Sequence, residues 1–132
     1  MPLRFRSEDG FEILAGRSNM QNDELTVKTG RRTDYWLHAQ RIHGSHVLLR
    51  CEGMMPSETA IEQAAAIAAY YSHARGGGKV PVDYTMLCHV KKPAGAMPGK
   101  VIYTNYKTVT VESDESLVKK LRIQYNTKSL TE

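Results

Sequence analysis

An alanine-rich segment at residues 57–75 constrains the fold of this chain more than any other stretch. Its apolar side chains recur at the spacing that places them on one face of a helix, at Ile61, Ala64, Ala65, Ala68 and Tyr71. A face made mainly of alanine lets a helix approach a sheet closely. We therefore predict one long helix over about residues 57–75, packed against a β-sheet.

The flanking residues predict where this helix begins and ends. Either Ser57 or Thr59 can begin it, because both side chains can accept a hydrogen bond from the first turn. Thr59 and Glu62 also have the spacing of a capping box, in which side chain and backbone bond reciprocally. The glycine triplet at 76–78 is expected to close the helix, since glycine readily adopts the conformation of a helix C-terminus.

Short β-prone runs lie on both sides of the helix and predict the rest of the fold. They cover residues 4–6, 11–14, 34–40, 46–50, 80–90, 101–104 and 107–111. Asp9-Gly10 indicates a hairpin turn between the first two, and Asn105 a tight turn between the last two. Residues 115–123 are expected to form a short C-terminal helix, and the last few residues to fray. The prediction is a single α+β domain over 1–132, with a mainly antiparallel sheet of about six short strands and one long helix.

The charged residues are unevenly distributed, although the net charge is only +4. Residues 28–50 hold five Lys/Arg against the single acid Asp34, and residues 75–107 hold six against Asp83. Two such basic blocks favour a polyanionic partner, and RNA is the most abundant one in a cell. A basic surface that only keeps the protein soluble explains the charge equally well.

Two further features suggest a location. No apolar run approaches the roughly 20 residues that a membrane-spanning helix needs, and the first residues lack the apolar core of a signal peptide. Cys51 and Cys88 have no metal-ligand spacing and are expected to be reduced. We expect a cytoplasmic protein without membrane contact.

Residues 33–50 combine the chain's one tryptophan with three of its five histidines. The alternation around Trp36 predicts a strand with two distinct faces, and His46 begins a second strand. The connection between the two strands contains Gly44, so a hairpin would bring His38 and His46 to the same end. A single tryptophan in a small domain is more often a core residue than a stacking platform, because it buries a large apolar area.

Three ingredients of RNA recognition occur in this stretch and in the lysine-containing loop at 89–100. Arginine and lysine neutralise phosphates, hydroxyl groups position the backbone, and exposed aromatic or imidazole rings stack on unpaired bases. Arg31, Arg32, Arg41, Lys91 and Lys92 supply the charge, with Trp36, His38, Ser45 and His46 nearby.

Metal binding and catalysis are weaker interpretations of the same residues. His38, His43, His46 and Cys51 are of zinc-ligand types, but their spacing matches no zinc pattern. Ser45 could be a nucleophile, and Asp34 or Asp83 could pair with a histidine, only if the fold brought those groups together. We expect no metal, no cofactor and no enzymatic activity.

Several motifs in unbroken order closely resemble one family. They are Asp34-Tyr35-Trp36-Leu37-His38-Ala39, Gly44-Ser45-His46-Val47, the Ala68 to Ser72 end of the helix, Val82-Asp83-Tyr84-Thr85, and Val90-Lys91-Lys92-Pro93. Over about residues 5–111 the chain resembles the NFACT-R domain. This is the C-terminal RNA-binding module of the RqcH/NEMF proteins of ribosome-associated quality control, sometimes labelled fibronectin-binding-protein-like. The chain departs from the pattern at His43, where the family usually has proline.

The resemblance implies an RNA-binding domain that recognises tRNA or ribosomal RNA on stalled large ribosomal subunits. The family's N-terminal, helix-hairpin-helix and coiled-coil segments are not in this sequence, so the chain is either an excised domain, with the remainder of such a protein as a partner, or a stand-alone version. A protein-interaction module docking on a ribosomal or quality-control protein is the alternative. The candidate RNA-binding residues are Arg31, Arg32, Asp34, Trp36, His38, Arg41, Gly44, Ser45, His46, Lys91, Lys92 and Lys100.

Overall fold

A computed structural model describes residues 1–124, and the expected fraying of the last residues falls on positions 125–132, outside the described residues. The strands are β1 (Leu3–Arg6), β2 (Glu12–Ala15), β3 (Tyr35–Ala39), β4 (Val47–Arg50), β5 (Lys79–Met86), β6 (Val90–Lys91), β7 (Ile102–Tyr103) and β8 (Lys107–Glu112). The helices are α1 (Asn19–Glu24), α2 (Glu58–Tyr70) and α3 (Glu115–Leu121). A π-helical turn at Leu25–Thr29 extends α1, and a 3₁₀ turn at Leu87–His89 follows β5.

Six strands form one antiparallel sheet in the order β1-β2-β4-β3-β5-β8. The predicted α+β fold, with a mainly antiparallel sheet, a long helix and a short C-terminal helix, is confirmed. Asn105 does lie in a turn, with a left-handed φ of 54°. The two strands on either side of it do not pair, however, because β7 pairs with β6 in a separate ribbon and β8 pairs with β5.

The sheet is covered on both faces, which explains why the central strands carry buried apolar residues on both sides. On one face the alanines of α2 pack against Leu37, Ala39, Val47 and other residues of the larger core cluster. On the other face a smaller cluster contains Leu14, Leu25, Trp36, Leu48 and Leu87. The prediction of two distinct faces for the strand at 34–40 is therefore correct, and the two faces pack against different core clusters.

The start of α2 agrees with one of its two predicted positions, whereas its end differs from the prediction. Ser57 is the N-cap, since its Oγ accepts from the backbone N–H of Ala60 at 3.0 Å, and the Thr59/Glu62 capping box is not formed. The helix ends at Tyr70 and not near residue 75. Tertiary pairing ends it: the Tyr71 carbonyl accepts from the Ser45 N–H at 2.9 Å, and the next residue bridges to Gly44.

Replacing Ser57 with alanine is expected to lower the free energy of unfolding by about 1 kcal/mol, because the first turn loses its capping acceptor. The Ser57 hydroxyl also donates to Asp9, so the variant frees that carboxylate as well. Urea unfolding followed by circular dichroism measures the change. Thr59→Ala is the matched control and should stay within about 0.5 kcal/mol of the wild type. An equal loss in both variants would contradict this assignment of the cap.

Candidate nucleic-acid interface

His46 is the residue on which the candidate site is built. It directly precedes β4, it is 3% exposed, and its backbone N–H donates to Asn22 Oδ1 of α1 at 3.0 Å. Its ring is held on both sides, with Thr26 Oγ1 2.7 Å from Nδ1 and the Gly99 carbonyl oxygen 3.1 Å from Nε2. Because a carbonyl oxygen only accepts, Nε2 carries the proton and Nδ1 accepts from the Thr26 hydroxyl.

Trp36 completes this hydrogen-bond chain. Its Nε1–H donates to Thr26 Oγ1 at 3.2 Å, which leaves the threonine proton free to face His46. The Trp36 ring stacks on His38 with a centroid distance of 5.7 Å, and His46 lies edge-on to Trp36 at 5.1 Å. The three rings therefore form one aromatic cluster, and the prediction that His38 and His46 lie at the same end of the strand pair is correct.

Burial decides the charge of the two histidines. It lowers the pKa of His46 to about 3, with the neighbouring His38 as a second cause, and burial also lowers the pKa of His38. Both rings are thus neutral at neutral pH. They shape the site and add no positive charge to it.

The loop between β6 and β7 is fastened onto this cluster. Beside the bond from His46, the Gly99 N–H donates to Asp23 Oδ1 at 3.1 Å, and Lys92 Nζ forms an ion pair with the same oxygen at 2.7 Å. Lys92 Nζ also donates to the Met97 carbonyl at 2.8 Å. Lys92 holds the loop against α1, and as a result the loop at 89–100 and the connection between β3 and β4 lie side by side.

A cleft of about 470 Å³ opens between these two segments, and we call it the His38 cleft. Its lining includes six of the predicted site residues, namely Trp36, His38, Arg41, Gly44, His46 and Lys100. Arg41 and Lys100 are exposed and belong to different basic blocks of the sequence. The fold thus joins the two blocks at one cleft.

The other predicted site residues lie outside the cleft or have side chains that bond to other parts of the protein. Arg31 and Arg32 are exposed but precede β3, whereas Arg41 follows it, so a strand about 16 Å long lies between them. Asp34 is buried; its carboxylate pairs with Arg50 at 3.0 Å and accepts from two backbone N–H groups. Lys91 is exposed on β6 and does not line the cleft.

Two small residues of the motif are also structural. The Ser45 hydroxyl is buried and donates to the Gly16 carbonyl at 2.6 Å. A Cβ on Gly44 would lie 2.9 Å from Ser72 Cβ, so only glycine permits the contact between this connection and the end of α2. Both residues set the shape of the chain beside the cleft without presenting a free group to a ligand.

Trp36 cannot stack on a base, because it is 1% exposed in the smaller core cluster. The aromatic residues that reach solvent here are tyrosines. Tyr103 lines the cleft beside Trp36 at a centroid distance of 4.8 Å, and Tyr106, which is 48% exposed, lies edge-on to Tyr103 at 5.2 Å. The sequence prediction did not include Tyr106. Its position after the turn residue Asn105 and before Lys107 is nevertheless a signal for an exposed aromatic residue next to a cation.

The geometry does not assemble the catalytic alternatives. The Asp83 carboxylate accepts from Gln40, Tyr103 and Thr108, so it has no histidine partner, and Ser45 bonds to a backbone carbonyl. Cys51 is buried, which raises the pKa of its thiol to about 11. Within residues 1–124 no group of three or more His, Cys, Asp or Glu side chains is placed to hold a metal ion. No helix in this part of the chain is long and apolar enough to cross a membrane.

Comparison with known proteins agrees with the sequence resemblance. The profile of a family described as the NFACT protein RNA binding domain matches residues 1–105. The chain belongs to this family. The NFACT-R resemblance is thereby confirmed, and the matched region contains every residue of the His38 cleft.

The curated relatives of this NFACT domain are longer proteins. The protein named Rqc2 homolog RqcH of Bacillus subtilis (strain 168) is 48% identical over 118 residues, which are 89% of this chain and 20% of that protein. The Rqc2 homolog RqcH of Streptococcus suis (strain 05ZYH33) is 40% identical over 123 residues, 92% of this chain and 22% of that protein. The chain therefore spans about a fifth of the length of these curated relatives.

A solved structure has the same fold. It is the C-terminal part of the fibronectin/fibrinogen-binding protein from Streptococcus suis, with a TM-score of 0.88 and 40% sequence identity. The match covers 92% of this chain and 49% of that chain.

Proposed function

We propose that this NFACT domain is a non-enzymatic RNA-binding domain that holds single-stranded segments of tRNA or ribosomal RNA at the His38 cleft. The observation that carries the proposal is the cleft itself. Arg41 and Lys100 stand exposed at its lining, and Tyr103 and Tyr106 offer aromatic faces beside them. Cations that follow a phosphate backbone, together with aromatic side chains that stack on bases, are what single-strand recognition needs.

The neutral state of the histidines supports a cleft built for bases. A half-buried, uncharged His38 stacked on Trp36 presents a flat, weakly polar surface, while the charges stand at the rim. Phosphates would bind at the rim and bases would lie inside, which is the division of roles seen in single-strand binding proteins.

The names of the relatives also suggest where in the cell the domain works. Relatives of 48% and 40% identity carry the name Rqc2 homolog RqcH, so we propose that this domain works in the cytoplasm on stalled large ribosomal subunits, as part of ribosome-associated quality control. The domain would contribute RNA affinity to a longer protein, and would not act on a substrate by itself.

The test is a titration of single-stranded RNA by fluorescence anisotropy at several salt concentrations. We expect Arg41→Ala/Lys100→Ala to reduce the slope of log K against log salt by about 1.4, since each lost phosphate contact on a single strand removes roughly 0.7. We expect Tyr106→Ala to weaken binding by about fivefold to a hundredfold, which corresponds to the loss of one stacked base.

Arg31→Ala/Arg32→Ala is the matched control for charge. It removes the same two positive charges at the other end of β3, where we expect less than half of the effect on the slope. Equal slopes in the two double variants would mean that general surface charge, and not the cleft, binds RNA. Absence of RNA binding at low salt would remove the RNA proposal and leave a protein partner as the remaining interpretation.

A further inference from the structure

A second cavity, next to the His38 cleft, is lined by positive side chains that the sequence prediction did not include. Its volume is about 580 Å³, and Arg17, His43, His73, Arg75 and Arg122 supply its basic side chains. We call these five residues and the space between them the arginine basin. Among the described residues that line it, none is an aspartate or a glutamate.

The three arginines come from three separate places in the chain. Arg17 lies between β2 and α1, Arg75 follows α2, and Arg122 follows α3 and bridges to Phe5 of β1. All three arginines line this one cavity, although like charges repel. Within residues 1–124 no carboxylate forms an ion pair with any of the three, so their charge is not neutralised by direct contact inside the described fold.

The protein holds Arg75 in place and leaves one donor atom of Arg122 without a partner. Arg75 donates from Nε to the Tyr70 carbonyl at 2.7 Å, and its guanidinium lies 3.9 Å from the centroid of the Tyr70 ring. The Nε atom of Arg122 is buried and has no hydrogen-bond partner within residues 1–124, which is an unfavourable state for a charged donor group. A tetrahedral anion accepts several hydrogen bonds at once, and guanidinium groups are its preferred protein donors.

The basin and the His38 cleft are adjacent. Asn19, Asn22, His43 and Gly44 line both cavities, so part of the connection between β3 and β4 lies between them. His43 lies in this connection, and its ring is 4.9 Å from that of His73 between centroids. A strand lying in the cleft would meet the basin at its next phosphates.

We infer that the arginine basin is a phosphate-binding site that holds a backbone phosphate of the RNA strand whose bases occupy the His38 cleft. This inference rests on the proposed function for the source of the phosphate. The phosphate chemistry is common to an internal phosphodiester and to a terminal phosphate monoester. The adjacency of the two cavities favours the phosphodiester, because a strand in the cleft would carry its next phosphates beside the basin.

The experiment compares Arg17→Gln/Arg75→Gln with a control, Arg6→Gln, that removes an exposed arginine at the other end of β1 from the basin residue Leu3. Arg122 is left intact, because it packs near Phe5 and its loss would disturb the core. Binding of a single-stranded RNA ten nucleotides long is measured with a 5′-hydroxyl and with a 5′-phosphate. We expect the double variant to bind both RNAs roughly three- to tenfold more weakly at physiological salt, with a salt slope lower by about 0.7, while the control keeps the wild-type affinity.

A second measurement separates failure of this inference from failure of the proposed function. Titration of inorganic phosphate is followed by NMR on the His43 and His73 side chains, and we expect shifts in the wild type that are absent from the double variant. If the double variant binds RNA as tightly as the wild type, the arginine basin does not bind the RNA phosphate, and the proposed function still stands. If the basin binds inorganic phosphate but the wild type does not bind RNA, the phosphate does not come from RNA. If the basin strengthens binding only of the RNA with a 5′-phosphate, the bound group is a terminal phosphate and not an internal phosphodiester.

Discussion

Replacing Trp36 with alanine is expected to lower the free energy of unfolding by about 3–5 kcal/mol, the range for removing a large aromatic side chain from a packed core. Trp36 is 1% exposed and packs against Leu14, Leu25 and Leu48, and its indole N–H donates to Thr26. The substitution therefore leaves a cavity and removes one buried hydrogen bond. Urea unfolding monitored by circular dichroism measures the loss without depending on tryptophan fluorescence.

Trp36→Phe and Tyr106→Ala separate core packing from base stacking. Phenylalanine keeps most of the buried area, so we expect Trp36→Phe to lose only about 1–2 kcal/mol, mainly for the missing hydrogen bond. Tyr106→Ala should change stability by less than about 0.5 kcal/mol, because the side chain is half exposed, yet it should weaken RNA binding. A stable Trp36→Ala variant that has lost RNA affinity would instead make Trp36 a ligand contact and refute its role in the core.

The elements of the fold could be predicted where the periodic pattern is strong. The alanine face of α2 and the alternation around Trp36 are local signals, and the structure contains the helix and the strand that they predict. The end of α2 could not be predicted in the same way. Tyr71 leaves the helix because its carbonyl accepts from Ser45, a residue 26 positions earlier in the chain, and no local signal reports such a bond.

The residues of the candidate site could likewise be predicted only where the signal is local in the sequence. Charge and turn patterns identified Arg41, His38 and Lys100, which the structure brings to one cleft. They could not show that Lys92 is already paired with Asp23, since that contact depends on how a loop folds back onto α1. Thr26 was missed as the centre of the hydrogen-bond chain, because a threonine in a turn resembles any other turn residue until Trp36 and His46 are placed around it.

His46 is expected to make the stability of the domain depend on pH in a window where carboxylates barely titrate. Its pKa falls from an ordinary 6.5 in the unfolded chain to about 3 in the folded state, chiefly through burial. Between these values the unfolded state binds one more proton, so stability is complete above pH 6.5 and falls with decreasing pH by about 1.4 kcal/mol per unit. The expected loss from this residue is about 2 kcal/mol between pH 6.5 and 5, and His38, whose pKa is also lowered by burial, adds to it in the same direction.

Two variants distinguish titration of His46 from the loss of its hydrogen bonds. His46→Gln cannot gain a proton. The slope of its unfolding free energy against pH, between pH 6.5 and 5, should therefore be smaller than that of the wild type by about 1.4 kcal/mol per pH unit. The variant should also be less stable than the wild type at pH 7.5. Thr26→Val removes the hydroxyl that bonds to Nδ1 but leaves the imidazole buried, and it should lose stability while keeping the wild-type slope. Urea unfolding at half-unit steps of pH gives both quantities. A His46→Gln slope equal to that of the wild type would mean that the imidazole is protonated in the folded state, and the direction of hydrogen bonding assigned to Thr26 and Gly99 would then be wrong.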